Sequence, residues 1–95
     1  MIVGICKLRL DLSENQSPKE KRSALHRIKQ KGFDRFKIHL AEVEDQDLLN
    51  TGVLGFATVG NDENYIRDLI HKLLAFIEES EGLRIAEEKI EVFEA

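Results

Sequence analysis

The chain has one cysteine, Cys6, and therefore no internal disulfide. No CxxC or HxxxH pair occurs, which argues against a zinc site and against thiol redox chemistry. No metal or cofactor is expected. Long apolar runs are also missing: none approaches the ~20 residues that span a bilayer. The opening Ile2-Val3-Gly4-Ile5 follows no basic leader, so the expected location is the cytosol, with no membrane partner. Aromatic residues are sparse. Phe56 and Phe93 are the only ones in the candidate strands, and no RNP-type aromatic motif is present, so a base-reading sheet is not expected.

What is present is a globular composition, 42% apolar and 34% charged in 95 residues. Such a chain forms one domain, here residues 1–95, and buries roughly 60–70% of its unfolded surface without a covalent staple. The net charge of −4 argues against a general nucleic-acid binder, yet its distribution is uneven. Between residues 19 and 37, eight Lys or Arg stand against Glu20 and Asp34, while from Glu78 onward seven acids face only Arg84 and Lys89. Either the basic helix offsets neighbouring acidic elements, or it offers a functional cationic surface.

Hydrophobic periodicity orders the elements. Residues 2–12 alternate, with Ile2, Cys6, Leu8, Leu10 and Leu12 on one face, which predicts a strand in which Cys6 is a core residue. A polar connection over residues 11–16 leads to Ser17-Pro18-Lys19-Glu20-Lys21-Arg22. There Ser17 is suited to the N-cap, Pro18 to the first helical position and Glu20 to closing a capping box. The helix buries Ala24, Leu25 and Ile28. Lys21 falls on this stripe, where its stem lies against the sheet and its ammonium emerges at the edge. Gly32 either ends the helix or is carried through it, because Phe33 and Phe36 lie out of register with the stripe.

A second strand is expected over residues 37–44 and a third, apolar on both faces, over 52–59. The outer face of the third strand either takes a cover, which a homodimer through the sheet would supply, or is a tolerated apolar surface. Asn61 or Asp62 caps a second helix with Ile66, Leu69, Ile70, Leu73, Leu74 and Ile77 at helical spacing. Gly82 ends it, and a charged edge strand over 83–93 closes the chain.

Strand, helix, strand, strand, helix, strand is the α+β ferredoxin-like arrangement, βαββαβ with two helices on one face of a four-stranded antiparallel sheet. A right-handed crossover makes the first two strands parallel, so the 17–22 turn and the 44–47 segment meet at one end of the sheet. The candidate binding site is therefore Ser17, Lys19, Lys21 and Arg22 together with Gln46 and Asp47. Ion pairing among these groups is the plainer reading.

The stretch from Leu12 to Arg22, with Phe36, Ala41-Glu42-Val43-Glu44-Asp45-Gln46-Asp47 and Leu54-Gly55-Phe56-Ala57, resembles the YlxP-like family of small bacterial proteins, domain of unknown function 503. The chain departs from it at Pro18, where the family more often carries leucine. The resemblance implies a ferredoxin-like fold. Through genomic company with initiation factor two and ribosome-binding factor A, it also implies a role in translation or ribosome maturation, and it implies no catalytic activity.

Three functions are weighed. A non-enzymatic RNA- or ribosome-associated factor would use the basic helix of residues 19–37. A small-molecule or protein-interaction module would dimerise through its sheet. An enzyme would follow acylphosphatase, the nearest catalytic precedent on this fold, which needs an arginine in a glycine-containing loop before the first helix. Residues 11–17 hold neither Arg nor Gly, and His26, His39 and His71 have no Ser or Cys nucleophile beside them. No catalytic residue is assigned.

Overall fold

The fold is described from a computed structural model, for residues 1–14 and 17–95. Asn15 and Gln16, which belong to the expected polar connection, lie outside the described residues. The elements are β1 (Ile2–Asp11), α1 (Pro18–Phe36), β2 (Ala41–Glu44), β3 (Thr51–Gly60), α2 (Glu63–Glu81) and β4 (Ile85–Glu94). The strands form one antiparallel sheet in the order β2-β3-β1-β4, the ferredoxin-like α+β fold.

Alternation on β1 decides which face is covered. Cys6, Leu8 and Leu10 are buried together with Leu12 just beyond the strand, and they meet Leu25 and Ile28 of α1 and Ile66, Ile70 and Leu73 of α2. A Cβ at Gly4 would lie 2.5 Å from Ile66 Cγ2 and 2.9 Å from Ile70 Cδ1, so the absent side chain lets α2 seat directly on the sheet. Burial, with the Glu88 charge adding to it, pushes the Cys6 thiol up to about 11.

One boundary that the sequence left open is decided, and one differs from the expectation. The first helix carries Gly32 in its interior and continues to Phe36, where Lys37 takes the left-handed conformation (φ 58°) and donates its N–H to Phe33 O at 2.8 Å. Gly32 is buried, and a Cβ there would come 2.9 Å from Leu40 Cδ1. Its role is to admit the returning chain.

The expected strand over 37–44 is consequently only Ala41–Glu44. Ile38 and Leu40 are buried, and they alternate because they enter the core from a connector, not because they pair in a ladder. At the second helix the choice of cap falls on Asp62, whose carboxylate accepts from Asn64 N (2.9 Å) and Tyr65 N (3.3 Å). Gly82 (φ 61°) ends that helix.

The outer face of the sheet divides in two. At one end Val53 is fully enclosed, flanked by its register partners Arg9 and Glu44, and the Lys7–Glu44 (2.8 Å) and Arg9–Asp45 (2.7 Å) ion pairs lie across the face. At the other end Ile5, Val59 and Phe93 are exposed, as is Val43 over Gly55. The apolar outer face expected of β3 is thus half covered by the chain's own charges.

A candidate binding groove beside the first helix

The helix start is capped as its residues dictate. Ser17 Oγ accepts from Glu20 N at 3.2 Å and donates to Glu20 Oε1 at 3.2 Å, so the hydroxyl is engaged in both senses.

One turn further on, Lys21 is 4% exposed. Its ammonium donates to the carbonyl oxygens of Asp45 (3.0 Å), Gln46 (3.3 Å) and Leu48, and lies 3.3 Å from Glu42 Oε2. An ammonium has three protons, and three carbonyls take them. Glu42 Oε2 is buried with no hydrogen-bond partner among the described residues, and the charge of Lys21 neutralises it. Lys21 therefore acts as an internal cation around which residues 45–48 are folded. Asp45, at φ 54°, makes the left-handed turn in that loop.

Between this loop and α1 lies an open cleft of about 650 Å³, with Pro18, Arg22, Leu25, His26 and Lys29 on the helix side and Glu42, Gln46, Asp47 and Leu49 on the other. The helix residues Arg22, His26 and Lys29 repeat at i, i+4 and i+7, the spacing of a single face. Arg22 and Lys29 engage in no ion pair among the described residues, whereas Arg27 and Lys31, on the α2-facing side, both pair with Glu81 at 3.4 and 2.6 Å. The basic helix is thus divided. On its α2 side Arg27 and Lys31 offset Glu81, and on its β2 side Lys21 offsets Glu42 while Arg22 and Lys29 pair with no acid among the described residues.

Of the six residues picked out from the sequence, the structure brings Lys21, Arg22, Gln46 and Asp47 to this groove. Ser17 is occupied as the cap, and Lys19 lies on the other side of the helix beside Glu20, Ser23 and Arg27. Lys21 has no proton left to offer a ligand. The structure adds His26 and Lys29 to the set, and their spacing from Arg22 is the signal in the sequence that carries them.

An antiparallel sheet of order β2-β3-β1-β4 under two helices, with an open groove at its β2 edge, defines a ferredoxin-like domain. Over residues 3–90 it matches the family described as Protein of unknown function (DUF503), and the chain belongs to that family. No curated protein matches it.

Among solved structures it is similar to a mutant of SnoaB, a cofactor-independent oxygenase from Streptomyces nogalater, with 19% identity and a TM-score of 0.52 over 99% of this chain and 92% of that one. It is also similar to LarC2, the C-terminal domain of a cyclometallase involved in synthesis of the NPN cofactor of lactate racemase, with 9% identity and a TM-score of 0.47 over 98% of this chain and 55% of that one. At 19% identity the SnoaB likeness is one of fold alone, and that to LarC2 carries no argument. No helix among the described residues is long and apolar enough to cross a membrane.

Proposed function

We propose that this chain is a non-enzymatic, cytosolic RNA-binding factor of translation or ribosome maturation, and that it holds phosphate along the Arg22–His26–Lys29 row. The carrying observation is that Arg22 and Lys29 have no ion-pair partner among the described residues, while Arg27 and Lys31 on the other side of the same helix are both paired. Charge placement supports the reading despite the net −4. Glu87, Glu88, Glu91 and Glu94 lie on β4, three strands across the sheet from the groove, which is about 14 Å at ~4.8 Å per strand. The Debye length at physiological ionic strength is about 8 Å, so these acids are screened from the groove.

Asp47, on the opposite wall, is the local acid without an ion pair among the described residues. RNA binding by fluorescence anisotropy across a salt series tests the proposal. Arg22→Gln and Lys29→Gln should each weaken binding and lower the log–log salt slope by about 0.7–0.9 for each phosphate that is no longer neutralised, while Asp47→Asn tightens it. Unchanged slopes in both Gln variants would sink the reading.

A second reading rests on the open half of the sheet. Ile5, Val43, Val59 and Phe93 are 37–61% exposed on one face, which favours self-association there.

A further inference from the structure

We propose that the groove takes single-stranded RNA and seats one base on His39, with the flanking phosphates on Arg22 and Lys29; this rests on the RNA-binding reading and names the ligand class within it. The cationic row does not stop at Lys29. Phe33, four residues on, continues the same helix face, and a second, smaller cleft lined by His26, Lys29, Gln30, Phe33, His39 and Leu40 runs on from the first, sharing His26 and Lys29 with it. Phe33 and His39 are stacked, ring centroids 4.6 Å apart and planes within 24°. Lys37 Nζ lies 5.5 Å from the Phe33 centroid.

Phe33 is half-buried and held, so it serves as the fixed base of the stack, whereas His39 is exposed. No hydrogen bond fixes the imidazole among the described residues, and its orientation comes from the stack beneath it. An exposed π surface at the end of a helix face whose Arg22 and Lys29 have no ion pair among the described residues matches the two needs of an unpaired nucleotide: a platform for the base and charge for its phosphates. A duplex cannot use it, because its bases are already stacked on one another and A-form grooves expose edges rather than faces. An acidic peptide would use the cations but gain nothing from the imidazole face.

The test uses the full chain with two probes: a short adenine-rich RNA carrying one 2-aminopurine, and the same strand annealed to its complement. The single strand should bind at least tenfold tighter than the duplex, with the 2-aminopurine fluorescence quenched on binding. His39→Ala should abolish the quenching and weaken single-strand binding about tenfold, the size of one base–aromatic stack, while leaving the salt slope unchanged. His39→Tyr should restore both readouts.

Equal or tighter binding of the duplex, or undiminished affinity and quenching in His39→Ala, overturns the inference. If Arg22→Gln and Lys29→Gln still lower the salt slope in that case, the RNA-binding reading survives it. Binding of a polyglutamate peptide with no binding of either RNA overturns both.

Discussion

Lys21 shows how one buried cation can organise a loop without binding anything foreign. Its three protons meet three carbonyls and its charge neutralises Glu42, so removing the ammonium leaves four acceptors directed at nothing. Breaking a buried pair in this way costs about 3 kcal/mol or more. Urea unfolding of Lys21→Met should show that loss, and Lys21→Arg should not recover it, because a planar guanidinium cannot meet three carbonyls converging on one point. Lys19→Met, at an exposed position, should stay within about 0.5 kcal/mol. An equal effect of the Lys19 and Lys21 variants would refute the role of Lys21 as the internal cation of that loop.

The sequence already places Lys21 on the core-facing stripe, since a helix period fixes its direction. The expectation that its ammonium emerges at the sheet edge fails, because the carbonyls of a loop 24 residues away close over it and leave Lys21 buried. Cys6 provides a second test at this scale. Its folded value of about 11 lies above the ordinary 9.0, so the neutral thiol contributes stability that is complete below pH 9 and is lost as pH rises from 9 to about 11. The wild type should lose roughly 2–3 kcal/mol more than Cys6→Ala across that window in urea titrations at successive pH values. Parallel curves would show that the thiol ionises freely in the fold.

At the scale of elements, the chain is legible wherever a run of alternate or helical burial has a single cause. The β1 alternation and the α2 stripe each reflect one face packed on one core, and both elements lie where the pattern puts them. The stretch after α1 misleads because two causes produce one pattern. Ile38 and Leu40 alternate like a strand, but they follow a left-handed cap at Lys37, a non-glycine residue that carries no local stop signal. Gly32, which the sequence left either to end the helix or to be carried through it, lies inside it, where its missing side chain admits Leu40.

The seat of α2 on the sheet rests on the other close glycine. A methyl at Gly4 would meet the β-branched Ile66 at 2.5 Å, and a branched side chain on a helix has little freedom to turn away. Gly4→Ala should therefore destabilise by about 1–3 kcal/mol, although alanine is the better backbone elsewhere in a strand. In an Ile66→Ala background the same substitution should cost much less, and a double-mutant cycle with no coupling would place the cause outside this contact.

At the scale of the whole molecule the sheet separates three surfaces. The groove lies at the β2 edge on the helix side, the acids line the β4 edge, and the outer face is half charged and half apolar. The charge imbalance is visible in the sequence, whereas its separation across the sheet needs the strand order. The open apolar half is the surface on which association is expected. Isologous pairing of two copies there would bring Ile5, Val59 and Phe93 of one against the same patch of the other, and a stable interface needs about 1,000 Å² in total.

Sedimentation in the micromolar range should therefore show a dimer. Val59→Lys should give a folded monomer whose melting temperature no longer rises with protein concentration, because this side chain is 61% exposed within one copy. A wild-type monomer at those concentrations would rule the interface out. Since the groove is on the opposite face of the sheet, a dimer carries two grooves directed away from each other. The monomeric variant should then bind a short RNA as the wild type does, yet lose affinity for an RNA long enough to reach both grooves, the signature of avidity rather than of a damaged site.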